Sequence, residues 1–343
     1  MISPESKLKE NAALVSDVAL VSSQGLGDGL LQLVFAQNLV RQGYSVTFYQ
    51  NHMSSLSPII DLVKVSPYLD ASSMQQALAE HKVVLFDQGS RFARRMLPEF
   101  DQVPDHFIAY VVSRSALAHE LELSKFMEHL QQLNSLSLQK LSGFNRSIRH
   151  PVKHSYSVSE HFQWIAKKVL NIDHYDLLPA MNIPESWYKK KYDKRVLIHP
   201  TSSMEIKNWS PHRFLELAEN LHSLGWNPEF TVAPDEWERW NSWLNGRYLA
   251  PCFSSILELA HYYYESAAFI GNDSGNGHLA SAMGLPVLTI FNRKKLSYPW
   301  RPGWSPNQVV APWLPKSLVA DKWSDYLSVK RVLSVFVKLV KSN

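Results

Sequence analysis

The stretch GNDSGNGHLASAMGLPVLTIF, residues 271–291, inserts polar residues between two apolar runs. An acid, a serine, two glycines and a histidine fall within six positions, and the small residues after them predict a helix. Backbone N–H groups at the start of a helix have no partner within it and carry partial positive charge. Gly275 and Gly277 would let a ligand approach the backbone, and Ser274 adds a hydroxyl donor. This combination suits a phosphate or pyrophosphate group.

Two side chains of this stretch have more than one interpretation. Asp273 could shape the turn by accepting backbone N–H bonds, cap the helix, or hold a ribose hydroxyl. His278 could donate to a phosphate oxygen or satisfy a buried carbonyl. The residue types therefore fit a nucleotide site and also an ordinary helix start.

A second polar loop, HPTSSMEIKNW at 199–209, also follows a predicted strand and precedes a predicted helix. It has three consecutive hydroxyl residues, of which Thr201 and Ser202 are the first two, and then Lys207. Hydroxyl groups and one lysine could neutralise a diphosphate without a metal ion. The alternative is a solvated loop with a surface lysine.

The N-terminal stretch QGLGDG, residues 24–29, follows the first predicted strand. Its glycines lack the G-x-G-x-x-G spacing of a dinucleotide-binding turn. Asp28 stands at the start of a predicted helix, where a carboxylate could act as general base on a hydroxyl nucleophile. The alternative role of Asp28 is to cap that helix.

A cluster of arginines follows the predicted strand at 82–87. In SRFARRM, Arg91, Arg94 and Arg95 fall on about one face of a helix. They could grip phosphate or carboxylate groups, or form a solvated basic face.

Glycine, proline and the hydrophobic period divide the chain into alternating strands and helices. The predicted strands are 18–23, 45–50, 82–87, 195–200, 228–233, 267–271 and 286–291. The middle of the chain, about 115–170, reads as helices, and a proline-containing, charged linker follows it.

Strands that alternate with helices form parallel sheets with right-handed crossovers. The sequence therefore predicts an α/β protein with two Rossmann-like, doubly wound domains, at 1–180 and 181–322. We expect the amphipathic tail, 323–343, to form a helix that packs back on the N-terminal domain.

The amino-acid composition and net charge limit the classes of protein to which the chain can belong. The chain has 343 residues, 45% hydrophobic and 19% charged, with a net charge of +4. The absence of a long Lys/Arg tract argues against nucleic-acid binding, and the mild positive excess suits a phosphorylated small ligand. The polar N-terminus, the single Cys252 and the lack of a membrane-length apolar run predict a cytoplasmic protein.

Three blocks of the sequence resemble the ADP-heptose:lipopolysaccharide heptosyltransferases, glycosyltransferase family 9. GLGDGLLQLVFAQNLV is similar to that family's N-terminal Gly-Asp block, and HPTSSMEIKNWSPHRFLELAENL to its HP…S…K-x-W block. LELAHYYYESAAFIGNDSGNGHLASAMGLPVLTIF is similar to its D-S/T-G-x-x-H-L-A-A-A block, which is the most specific of the three. YPWRPG, at 298–303, gives a weaker fourth match.

The resemblance implies a glycosyltransferase-B fold with the active site in the cleft between the two domains. The nucleotide-sugar donor, expected to be ADP-heptose, would bind the C-terminal domain, and the acceptor the N-terminal domain. The implied reaction is inverting and needs no metal and no cofactor, and the sequence has no D-x-D carboxylate pair. The implied acceptor is a hydroxyl of a lipopolysaccharide core or related glycan.

The resemblance also assigns residues to roles. Asp28 matches the family's proposed general base. The predicted acceptor-binding residues are Gly27 of the matched N-terminal block and, from the arginine cluster outside the matched blocks, Arg91, Arg94 and Arg95. The predicted donor-binding residues are Thr201, Ser202, Lys207, Asp235, Asp273, Ser274, Gly275 and His278.

Two alternatives stay open. One is a glycosyltransferase-B enzyme with another donor or a protein acceptor, because FNRKKLSYPW replaces the family's usual glycine after the last strand. The other is a non-catalytic protein that binds a nucleotide sugar. A lipid-linked acceptor would bring the protein transiently to the inner face of the membrane.

Overall fold

The computed structural model describes residues 17–87, 90, 92–100, 107–110, 157–169, 172–293, 299–313 and 320–342. The chain divides into two compact units. Described residues up to Asn182 form the first unit, apart from Ser157, and the second unit continues from Ile183. The sequence put this boundary at 180. The predicted helices between 115 and 156 lie outside the described residues.

The first unit contains a parallel sheet with the strand order β3-β2-β1-β4-β5. The described strands are β1 (Asp17–Val21), β2 (Ser45–Tyr49), β3 (Lys64–Ser66), β4 (Val83–Asp87) and β5 (Phe107–Tyr110). Strands β1 and β4 are buried and almost wholly apolar, as expected when helices cover both faces of a parallel sheet. The direction of strand order reverses between β1 and β4.

Helices connect these strands and cover the sheet. The described helices are α1 (Leu26–Arg41), α2 (Asn51–Ser55), α3 (Ala71–Ala79) and α4 (Val158–Val169). Side chains of Gln37 and Asn38 on α1 each donate a 2.8 Å hydrogen bond to a backbone carbonyl, of Ala180 and Asp176 respectively. These bonds satisfy buried amides and fasten the end of the first unit to α1.

The second unit contains a parallel sheet with the strand order β10-β9-β8-β6-β7. The described strands are β6 (Arg195–His199), β7 (Asn227–Phe230), β8 (Ala268–Asn272), β9 (Val287–Ile290) and β10 (Asn307–Val310). Here the direction of strand order reverses between β6 and β8. Both units are therefore doubly wound, as the sequence predicted.

The described helices of the second unit are α5 (Pro211–Ser223), α6 (Trp237–Leu244), α7 (Ile256–Tyr264), α8 (Gly275–Ala282) and α9 (Val329–Lys341). The sequence signals at α5 are confirmed. Ser210 is the N-cap, Pro211 is the first helical residue, and Gly225 follows the C-cap with φ +82°. Glycine adopts this left-handed conformation without steric cost.

The tail helix differs from the expectation that it packs on the N-terminal domain. The apolar face of α9 lies in the core of the second unit and contacts α5, β9 and β10. Val332 and Phe336 on this face are fully buried. The exposed polar face carries Lys330 and Arg331, so the amphipathic pattern reflects a helix that covers its own unit's sheet.

Candidate functional site

The predicted site residues other than Asp235, which comes after β7, follow the strands at which the order of each sheet reverses. In the first unit, the turn with Asp28 follows β1, and the arginine segment follows β4. In the second unit, the loop at 200–209 follows β6, and the turn at 273–278 follows β8. Doubly wound sheets bind ligands at this point, beyond the carboxyl ends of the strands.

Asn272, the last residue of β8, joins the two loops of the second unit. Its side chain is fully buried and donates to the Pro200 carbonyl at 2.6 Å. Its Oδ1 accepts from the Trp209 backbone N–H at 3.1 Å. One amide thus fixes both ends of the 200–209 loop against the strand that leads into the 273–278 turn.

The structure brings Lys207 and Asp273 together. The Lys207 Nζ lies 2.9 Å from the Asp273 Oδ2, and both side chains are partly buried. A half-buried ion pair is screened less by salt than an exposed one. Asp273 therefore orients the ammonium at the rim of the second sheet.

The Ser202 hydroxyl has partners within the 200–209 loop. Its Oγ lies 2.9 Å from the Met204 carbonyl oxygen and 2.7 Å from the Asn208 Oδ1, so its one proton has two acceptors within reach. Ser202 therefore helps to shape the loop that carries Lys207. Thr201 is buried.

Ser274 caps α8 without a side-chain capping bond. Its Oγ is buried, and it has no hydrogen-bond partner within the described part of the chain. The first amides of α8, beginning at Gly275, lie next to this hydroxyl and have no acceptor inside the helix. A buried donor without a partner is costly, so this turn is a candidate for binding an acceptor from a ligand.

A ring of buried hydrogen bonds anchors α8 to the second sheet. Since a carbonyl only accepts, the Nδ1–H of His199 donates to the Thr231 carbonyl at 2.6 Å. The His199 Nε2 then accepts from the Asn276 side-chain amide at 3.1 Å. The Asn276 Oδ1 accepts from the Tyr263 hydroxyl at 3.1 Å, and that hydroxyl lies 3.1 Å from the Thr231 Oγ1. Each of the four residues thus takes part in two bonds of the ring.

Burial lowers the pKa of His199 to about 4, so its ring is neutral near pH 7. The neutral state is the one that can accept the Asn276 hydrogen bond. Sequence reasoning did not find this ring, because its members are far apart in sequence. The available signal was a histidine ending the otherwise apolar strand RVLIH.

His278 lies beneath the turn rather than at its surface. It is 5% exposed and packs edge-on against Trp304, with ring centroids 5.9 Å apart. Burial lowers its pKa to about 4, against the opposing effects of the Asp273 charge and the Trp300 backbone. The side chain is therefore neutral near pH 7, which leaves Lys207 as the cation at this turn.

Gly277 has a packing role in this structure. A Cβ built on Gly277 would lie 3.2 Å from the Pro302 Cγ. The missing side chain thus lets α8 pack against the segment after β9. Asp235 is exposed in the turn before α6, and within the described residues no hydrogen bond or ion pair joins it to Lys207 or Asp273.

In the first unit, Asp28 lies in the first turn of α1 but is not its N-cap, which is Gly25. The Ser23 hydroxyl donates to the Asp28 Oδ2 at 2.8 Å. A Cβ at Gly25 would lie only 2.8 Å from that oxygen, so the glycine makes room for the carboxylate. Gly27 is buried beside it.

Gln50 holds the turn before α1. Its side-chain amide donates to the Gly25 carbonyl at 3.1 Å, and its Oε1 accepts from the Met53 N–H at 2.7 Å. The fully buried Gln50 therefore connects the end of β2, the cap of α2 and the Asp28 turn. The half-buried Asp28 is therefore positioned by the Ser23 hydroxyl, which contacts its carboxylate, and by Gln50, which holds the backbone of its turn.

The arginine segment forms one turn of π-helix, Phe92–Met96. Arg94 and Arg95 are exposed on it, and the Arg94 Nε donates to the Ser90 carbonyl at 3.4 Å. Arg95 and Gln24 line the same groove, so the structure brings Arg95 to the loop that contains Asp28. Arg91 lies outside the described residues.

Two further properties concern metal and membrane. Among the described residues, no group of three or more His, Cys, Asp or Glu side chains could hold a metal ion. Within the same residues, none of the helices combines the length and apolar composition needed to cross a membrane.

The chain is similar to known proteins both in sequence and in fold. The model of Glycosyltransferase family 9 (heptosyltransferase) matches residues 128–313. Lipopolysaccharide heptosyltransferase 3 of Escherichia coli is 26% identical over 141 residues, which is 37% of this chain and 41% of the relative. The aligned part of the chain thus spans about two fifths of the length of this curated relative.

Solved structures share the fold over nearly the whole chain. The E. coli ADP-heptose lipopolysaccharide heptosyltransferase II gives a TM-score of 0.64 at 14% identity, covering 95% of this chain and 99% of that one. An E. coli heptosyltransferase solved with ADP gives 0.55 at 14% identity, covering 94% and 99%. The predicted glycosyltransferase-B fold is thereby confirmed.

Proposed function

The chain belongs to glycosyltransferase family 9, and from this membership we propose that it transfers a sugar from a nucleotide diphosphate donor to a hydroxyl group of a glycan acceptor. The specific proposal is an ADP-heptose donor and a lipopolysaccharide-core acceptor. The name of the E. coli relative and the ADP in one structure of similar fold support these substrates.

The observation that carries this proposal is the composition of the turn at 273–278. A lysine ammonium, a buried hydroxyl that has no partner among the described residues and the start of α8 meet beyond the end of β8. In the proposed reaction, Lys207, Ser274 and the first amides of α8 bind the diphosphate. They stabilise the negative charge that develops on it as the bond to the sugar breaks.

Asp28 is the proposed general base. Its carboxylate takes the proton of the acceptor hydroxyl while that oxygen attacks the anomeric carbon from the face opposite the nucleotide. The sugar is then transferred with inversion. General-base assistance of this kind is worth roughly 10²–10⁴-fold in rate. Ser23 fixes the orientation of the carboxylate through its hydroxyl.

The remaining parts of the proposal concern metal and location. Lys207 and the amides supply the positive charge that the leaving diphosphate needs, so the proposed reaction requires no metal ion. The proposed location is the cytoplasm, where a lipid-linked acceptor would bring the protein to the inner face of the membrane. Transfer that is unchanged by a chelator would support the first point.

The proposal is tested by thermal unfolding of the protein in the presence of ADP, UDP, GDP and CDP. We expect ADP to raise the melting temperature most. Incubation with ADP-heptose and a lipopolysaccharide-core oligosaccharide should then yield one added heptose by mass spectrometry. Stabilisation by another nucleotide would contradict the ADP-heptose donor. Stabilisation without transfer to any acceptor would support a non-catalytic binding protein.

A further inference from the structure

A groove of about 590 Å³ lies at the carboxyl edge of the first sheet. This volume is in the usual range of small-ligand sites. The polar side chains that line it follow four different strands: Gln24, Asn51, Tyr68, Asp70, Arg95 and Glu99. Gln24 belongs to the same loop as the Asp28 turn, so the groove adjoins the proposed general base.

The wall formed after β3 is held rigidly. The Asn51 Oδ1 accepts from the Tyr68 backbone N–H at 2.7 Å. The Tyr68 hydroxyl donates to the Ser22 carbonyl, at the end of β1. Burial raises the pKa of Tyr68, so this hydroxyl stays protonated. A groove with fixed walls loses little conformational entropy when a ligand binds.

The charges of the groove do not favour an anion. Arg95 contributes one positive charge, whereas Asp70 and Glu99 contribute two negative charges. Hydrogen bonds from Ser73 lower the pKa of Asp70 and keep its carboxylate ionised. The described lining therefore has a net charge of −1, although the sequence pattern suggested a basic surface for phosphates or carboxylates.

We propose that this groove binds an uncharged, hydroxyl-rich sugar unit of the acceptor and selects against a phosphate ester on that unit. The inference rests on the proposed glycosyl transfer. A phosphate monoester carries about −1.5 to −2 charges near pH 7, so two carboxylates would repel it and one guanidinium would attract it. Sugar hydroxyls can donate to the carboxylates and accept from the amide and guanidinium groups.

The test uses a deacylated core oligosaccharide and the same oligosaccharide after phosphatase treatment, with ADP-heptose as donor. We expect the wild-type protein to show a KM about 3- to 10-fold lower for the dephosphorylated acceptor. The ratio should shrink at high salt, because exposed charges are screened.

Variants identify the responsible charge. Glu99→Gln should improve use of the phosphorylated acceptor several-fold, and Arg95→Gln should worsen it. Glu80→Gln makes the same charge change as Glu99→Gln at the C-cap of α3, outside the groove lining, and should leave the ratio unchanged. These variants alter exposed side chains, so we expect all three to fold.

If neither acceptor is glycosylated, binding of the two oligosaccharides is measured by calorimetry in the presence of ADP. A preference for the dephosphorylated form would support the groove while contradicting the proposed transfer. Binding of neither form, or a wild-type preference for the phosphorylated form that Arg95→Gln abolishes, would overturn the inference.

Discussion

Each unit places an aspartate where the strand order of its sheet reverses, and the two aspartates have different surroundings. Asp28 and Asp273 each lie in a turn that follows a strand where the strand order reverses. Asp28 accepts a bond from the neutral hydroxyl of Ser23, whereas Asp273 pairs with the ammonium of Lys207. In the proposed reaction, one topology therefore carries two chemistries, proton acceptance in the turn with Asp28 and anion binding in the turn with Asp273.

The supports of the two turns also differ. In the first unit, the Gln50 side-chain amide donates to backbone carbonyls of the turn. Gln50 therefore supports the backbone of the turn, and the reactive group that the turn presents is the Asp28 carboxylate. In the second unit, Asn276 belongs to a buried ring that includes His199. The turn proposed to bind the diphosphate is therefore linked to a titratable group in the core, and its stability should depend on pH.

The largest effect is expected from Asp28→Asn. The amide keeps the shape of the side chain but cannot take a proton, so kcat should fall by roughly 10²–10⁴-fold. The affinity for ADP, measured by calorimetry, should stay the same. Asp273→Asn makes the identical change in the other turn and should act mainly on donor binding. Near-wild-type turnover of Asp28→Asn would contradict the role of this carboxylate as general base. The two turns would then no longer differ in the chemistry proposed for them.

A smaller effect is expected from Lys207→Ala. Hydrogen bonds to charged groups contribute about 1.5–3 kcal/mol, so ADP affinity should fall about 10- to 100-fold. Part of this loss comes from leaving the Asp273 charge unbalanced, and the double variant with Asp273→Ala should recover some affinity. Lys191→Ala, at an exposed lysine paired with Glu265, is the matched control. Equal ADP affinity of wild type and Lys207→Ala would contradict the assignment of the anion site.

The ring predicts how stability depends on pH. The pKa of His199 is lowered from 6.5 to about 4, so the unfolded chain binds a proton at a higher pH than the folded protein. The contribution of His199 is complete above pH 6.5 and is lost as the pH falls toward 4, by roughly 3 kcal/mol. His278 contributes in the same direction. The midpoint of urea unfolding at pH 7 and pH 5 measures this dependence.

The variant Asn276→Asp distinguishes the contribution of the ring from the pH dependence that His199 and His278 share. At pH 7 the new carboxylate cannot donate to the His199 Nε2, so the variant should be less stable by about 1–3 kcal/mol. Toward pH 5 the carboxylate favours protonation of His199, and the deficit should shrink. Asn241→Asp, on the exposed face of α6, is the control. A deficit that stays constant with pH would show that the ring does not couple His199 to the turn.

The architecture could be predicted because apolar runs and helix signals are local. Each of the seven predicted strands is present, with ends that coincide or shift by up to three residues. Strands β3, β5 and β10 were not predicted. They are three or four residues long and lie at the sheet edges. In β3 and β10, partial exposure goes with polar residues that interrupt the apolar run that marks a strand.

The pairing of site residues could not be predicted in the same way. Lys207 and Asp273 are 66 positions apart, and it is the adjacency of β6 and β8 that brings their loops together. The burial of His278 likewise depends on Trp304, which follows β9. Residue types identified the turns, but tertiary contacts decided which of their side chains are buried and which pair with each other.

The packing of α9 has a consequence for the order of folding during synthesis. Residues of α9 share one core with Trp209, and the Trp209 indole donates to the Leu327 carbonyl at 3.2 Å. Translation proceeds from the N-terminus, so this core stays open until residues 329–341 have left the ribosome. The first unit has a separate core and can close earlier. A nascent chain arrested before residue 329 should thus resist protease in its first half and be cleaved in its second.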